Sequence, residues 1–191
     1  MDVAAALKNE FFRPFVTILV PGSTAIAPYI LVAAFYAPQC RAFWDTHPSA
    51  ASIIIAVAVV STGLVLENIG SFIEVKWWDA ILQQTIEGHL EEWEAYLRLY
   101  LRDELIGQRY LRDVLTRMKF ELTMGPALLA SWVGLIWMNT IYQVWSYAGL
   151  YWLSVFMLCL SIYLIRESFK SARVLSRVRH IILEATRQFT R

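Results

Sequence analysis

Four long apolar stretches dominate this sequence, and each is close to the length that crosses a lipid bilayer. A helix rises about 1.5 Å per residue, so a hydrocarbon core about 30 Å thick needs about 20 apolar residues. The stretches run from Phe15 to Tyr36, Ala51 to Ile73, Leu122 to Trp145 and Leu150 to Ile165, the last extending back to residue 148 through "YAGLYW". No water inside lipid completes a backbone hydrogen bond, so segments of this length are read as helices. The predicted fold class is all-α: a polytopic membrane protein with four transmembrane helices and a helical cytoplasmic extension. Composition agrees. The chain is 58% hydrophobic and 17% charged, whereas soluble domains average about 45–50% and about 25%.

Charge placement sets the expected orientation. Of 17 basic residues, only Arg41 lies between the first two stretches, and none lies between the last two. The others precede Phe15, fill the segment from Lys76 to Lys119, or follow Ile165. The basic side faces the cytoplasm by the positive-inside rule, which predicts an inner-membrane, multi-pass protein with both termini cytoplasmic. Tyr36, Trp44, Tyr142, Trp145, Tyr147, Tyr151 and Trp152 would form an outer aromatic belt, and Phe11, Phe12, Trp77 and Trp78 an inner one. The first stretch is expected to be retained. It is long for a cleaved leader, carries prolines, and ends in "AFYAPQ", a poor cleavage site.

The organisation follows from these boundaries. Residues 1–75 hold a cytoplasmic N-terminus and the first two spans. Residues 76–121 read as a cytoplasmic helical hairpin. Residues 122–165 hold spans three and four, and 166–191 a basic amphipathic helix. In the hairpin, Trp78, Leu82, Ile86, Leu90, Trp93, Leu97 and Tyr100 recur at helical spacing. A second stripe follows at Leu111, Leu115, Met118 and Leu122, with Gly107 as the expected turn between them. The C-terminal helix carries Val178, Ile182, Ala185 and Phe189 on one face. That face either packs on the hairpin or lies on anionic lipid. Three amphipathic helices on a small chain point to a homo-oligomer, of which the cyclic kind is commonest.

Polar groups inside the spans narrow the function. Ala56, Gly63 and Gly70 share a face of span two, and Glu67 and Glu74 each follow a glycine by four residues. Small residues permit close helix packing, and intramembrane carboxylates face protein or water rather than lipid. Glu67 lies 16 residues after Ala51, or about 24 Å along a helix, in the inner part of the bilayer. A ring of such carboxylates would line a cation path; the plainer alternatives are an ion pair with Arg13, Arg117 or Lys119, or simple exposure at the interface. Asn68 and Ser71 line the path or serve as interhelical glue. In span one, "LVPGSTAIAPYI" places Pro21, Gly22 and Pro28 where a helix should run straight, with Ser23 and Thr24 between them. Proline removes a backbone donor. The segment is therefore either a break or gate beside a cavity, or a kink repaired by its hydroxyls. In span three, Ala127 with Ser131 and Ala130 with Gly134 are small-residue pairs suited to helix packing. Asn139, Thr140 and Gln143 would line an outer vestibule or meet headgroups.

No phosphate loop, metal-binding helix or nucleophile motif stands out. The chain is expected to be no enzyme, with no cofactor and no metal. Expected partners are the bilayer, further copies of the chain, and a soluble cytoplasmic protein or anionic ligand. The last would meet Arg98, Arg102, Arg109 and Arg112, unless these form a solvated face laced with acidic residues. No direct nucleic-acid contact is expected. In layout, with four short spans, a helical cytoplasmic body and no catalytic domain, the chain resembles small membrane components of bacterial anti-phage systems. That likeness implies a membrane effector. The leading expectation is an oligomeric inner-membrane ion channel gated or assembled through its cytoplasmic helices. The alternatives are a non-conducting membrane anchor that recruits a soluble partner and, more weakly, an ion-coupled transporter.

Overall fold

The computed structural model describes residues 14–85, 95–96 and 106–189. Every element among the described residues is helical. A π-helical turn, Phe15–Leu19, leads into α1, Val20–Tyr36. A short exposed helix, α2, Pro38–Thr46, follows in the first connection. Then come α3, Pro48–Ile73, a second π-helical turn, Glu74–Trp78, and α4, Asp79–Thr85. Two long helices complete the chain: α5, Ile106–Tyr142, and α6, Tyr147–Phe189. Four helical stretches are long and apolar enough to cross a membrane: Phe15–Tyr36, Pro48–Gln84, Tyr110–Tyr142 and Tyr147–Leu183.

Two boundaries differ from the sequence reading. Gly107 is not the turn; it is the second residue of α5, which continues without interruption through the third apolar stretch. The segment from Arg166 is not a separate helix either. It extends the fourth span into one rod of 43 residues, about 65 Å at helical rise. Charged residues end a hydrophobic run, but Arg, Glu and Lys are good helix formers and do not end a helix.

Helix α5 is the hub. It packs against α1, α3 and α6, whereas α6 packs along α5 and makes no comparable contact with α1 or α3. Two clusters fill the bundle. Where α1, α3 and α5 meet, the buried residues are Ala25, Leu66 and Ala127, with Met124 and Ala130 beside them. Toward the charged end the buried residues are larger: Leu82, Leu111, Met118, Leu122, Ala172, Leu175 and Ile182, flanked by Trp78 and Phe169. The difference has a physical cause. Apolar side chains gain little by leaving lipid for one another, so helices associate there through small residues and close van der Waals contact. Beyond lipid, burial of large side chains drives association. Ile182 and Val178 pack in the larger cluster, so this part of the C-terminal stripe is covered by the chain itself. The side chains of Ala185 and Phe189 lie outside the described residues, as do Ile86, Leu90, Trp93, Leu97 and Tyr100.

The polypeptide stays helical through the proline-rich stretch of span one. Pro21 stands in the first turn of α1, and Pro28 lies inside it. A widened turn at Phe15–Leu19 precedes Pro21: the Val20 N–H donates to the Phe15 carbonyl across a π-helical loop. Such turns occur as local insertions in α-helices. Ser23 Oγ and Thr24 Oγ1 both donate back to the Val20 carbonyl, at 2.9 and 2.8 Å. Pro21 and Gly22 are buried. A methyl group on Gly22 would collide with the Val59 carbonyl oxygen, and one on Gly63 with the Ile18 carbonyl oxygen. Two backbones thus touch where two glycines cross. Further along, Gly134 leaves room for the Pro28 ring, whose Cγ lies 2.7 Å from the place a Cβ would take.

Candidate functional site: the polar face of span two

Helix α3 turns Gly63, Leu66 and Gly70 inward. Gly63 meets the π-helical turn of span one, and Gly70 meets Leu122 of α5. The Leu122 carbonyl is the one that Pro126, four residues on, leaves without its helical donor. It lies 3.5 Å from the place a Gly70 Cβ would occupy. Ala56, seven residues before Gly63, is exposed and lies outside this contact.

The polar residues of the same helix divide into two groups. Glu74 and Ser71 are satisfied within the chain. Lys119 Nζ on α5 lies 3.5 Å from Glu74 Oε2 and donates to Ser71 Oγ at 3.4 Å. Glu67 and Asn68 differ. Glu67 is half-buried and Asn68 exposed, and neither has a hydrogen-bond or ion-pair partner among the described residues. Two of the cations that the sequence offers Glu67 are engaged elsewhere: Lys119 with Glu74, and Arg117 with Glu121 and Glu167. The third, Arg13, lies outside the described residues. Glu67 sits on the flank between the buried glycine face and the open face, which carries Leu64, Asn68 and Phe72.

Ser23, Thr24, Pro21, Gly22 and Pro28 do not join this pair. The two hydroxyls bond to their own helix, and Pro21, Gly22 and Pro28 are buried in helix contacts. In α5, Ala130 packs beside the small-residue cluster, and its carbonyl accepts from Tyr29 Oη at 2.9 Å. Asn139 closes the turn between α5 and α6: the Trp145 N–H donates to its Oδ1 at 2.8 Å, and its Nδ2 donates to the Trp145 carbonyl at 3.3 Å. Gln143 makes the reversal with a φ of 49°. Thr140 bonds back to Trp137 O at 2.7 Å. Of the arginine group, Arg112 is exposed on α5 and Arg109 lies in the same helix, while Arg98 and Arg102 lie outside the described residues.

A second polar assembly escapes a reading by composition. Glu121 is only 5% exposed, yet both carboxylate oxygens are bonded. Oε1 accepts from Arg117 Nε and Oε2 from Ser171 Oγ, each at 2.8 Å. Arg117 also reaches Glu167 at 3.4 Å, and Lys170 holds the same carboxylate at 2.8 Å. Along α6, Ser161 donates to the Gly125 carbonyl at 2.8 Å, and Ser168 accepts from Trp78 Nε1 at 3.2 Å. The signal in the sequence is a sevenfold spacing: Ser154, Ser161 and Ser168 continue as Leu175 and Ile182. Small hydroxyls give way to large aliphatic residues on one seam, which is what a helix leaving lipid for water requires.

No protein-family model, curated protein or solved structure matches this chain.

Proposed function

We propose that this chain is the subunit of a homo-oligomeric membrane channel for cations, with the conducting path running along α3 past Glu67. One observation carries the reading: a carboxylate deep in an apolar helix, half-exposed and without a partner among the described residues. Ionisable groups at membrane depth face protein or a water-filled space, because lipid solvates them poorly. Within one chain, Ala25, Leu66 and Ala127, with Met124 and Ala130 beside them, fill the contact of α1, α3 and α5. We therefore put the path between copies. Carboxylates from several copies at one depth make a ring that attracts cations and repels anions. In this reading the large cluster of α4, α5 and α6 stands in the cytoplasm, as the basic residues suggest, and couples assembly or opening to a soluble signal.

The test is ion flux. Purified protein in liposomes should dissipate a potassium gradient, and Glu67→Gln should slow that flux at equal protein content. Flux indistinguishable from that of empty liposomes under every activating condition overturns the reading. A second reading, a non-conducting anchor, draws support from the large cluster, most of whose buried residues lie outside the four apolar stretches of the sequence. Replacing the spans with unrelated ones would preserve the activity of an anchor and abolish that of a channel.

A further inference from the structure

The open face of α3 carries a regular pattern that no contact within the chain uses. Ile54, Ser61, Asn68 and Val75 recur every seven residues, and Val57 and Leu64 each follow a member of the series by three. All six are exposed. A 3-4 spacing of this kind is the seam of a left-handed helix pair, the commoner crossing in membranes and in coiled coils. Its centre is an asparagine with no partner among the described residues. Hydrocarbon offers that amide neither donor nor acceptor, so leaving it on lipid is costly.

We propose that a second copy of this chain docks along this seam, with the Asn68 amides of neighbouring copies hydrogen-bonded to each other. Three arguments select a second copy over lipid or another protein. Copies of one chain insert with one orientation, so the same residue reaches the same depth in each. An amide carries both donor and acceptor and is complementary to itself. A single asparagine at such a position also fixes register, because any slip of the helices separates the pair. Glu67, one residue earlier and so about 100° around the helix, stands beside the seam rather than in it. The inference deepens the channel reading by naming the contact that builds the assembly. Its test reads proximity rather than conduction, so either can fail alone.

Single cysteines are placed in a chain carrying Cys40→Ser and Cys159→Ala, and membranes are oxidised with copper phenanthroline. Ser61→Cys and Asn68→Cys should give disulfide-linked dimers, and Ile69→Cys, exposed on another side of α3, should not. Adding Asn68→Val to Ser61→Cys should lower the cross-link several-fold, and Asn68→Gln, which keeps the amide, should restore most of it. These side chains are exposed, so the subunit fold tolerates the changes, which gel filtration in detergent verifies. No cross-link at Ser61→Cys or Asn68→Cys overturns the proposal and leaves the face to lipid or another protein. Equal cross-linking at Ile69→Cys also overturns it, because it marks random collision.

Discussion

Gly22 and Gly63 cross with their backbones in contact, and neither position has room for a methyl group. The contact joins the proline-containing start of span one to the middle of span two. It fixes where Glu67, one helical turn after Gly63, stands relative to α1. Gly63→Ala would drive its Cβ into the Ile18 carbonyl, a backbone atom with little freedom to move. Overpacking of this kind costs about 1–3 kcal/mol. Thermal unfolding in detergent should show a clear loss of stability for Gly63→Ala and for Gly22→Ala. Gly149→Ala should lose little, because its nearest neighbours lie at 3.5 and 3.8 Å, ordinary contact distances.

Ser171 and Arg117 should both contribute to the stability of the bond network of Glu121. Ser171→Ala removes the donor to a buried carboxylate oxygen, and an unmade buried hydrogen bond costs about 1–3 kcal/mol. Arg117→Ala takes the charged donor from the other oxygen: the Arg117 side chain is 62% exposed but that of Glu121 only 6%, and a hydrogen bond to a charged group is worth about 1.5–3 kcal/mol. Denaturation under one condition should therefore show a clear loss of stability for both variants.

Asn139→Ala should loosen the turn between α5 and α6. It deletes both bonds to the Trp145 backbone, and side-chain caps of this kind are worth about 1 kcal/mol. Proteolysis of sealed vesicles from the side that bears this turn should cut the variant faster near Tyr147, while detergent-extracted particles keep their size.

Hydropathy made the number of spans legible, because about 20 apolar residues leave few alternatives. The length of α6 was not legible that way. Its charged residues end a hydropathy run yet favour helix, so Arg166 reads as a boundary where α6 has none. Pro21 illustrates the opposite error. Its missing donor was visible, but not the π-helical turn before it, which lies against Gly63 of another helix. Glu67 and Asn68 stood out from the start, as polar groups in an apolar run. That Glu74 rather than Glu67 pairs with Lys119 is a matter of helix register between α3 and α5. Spacing along one helix does not carry that register. Glu121 was obscured because its partners Arg117 and Ser171 come from two helices.

The reversal potential of reconstituted protein under asymmetric potassium chloride, recorded for the native chain and for Glu67→Lys, bears most directly on the central claim. A path past Glu67 predicts cation selectivity in the native chain and a shift toward anions in the variant, because the ring of charge changes sign. Currents with the same reversal potential in both proteins, or no current from either, would contradict it.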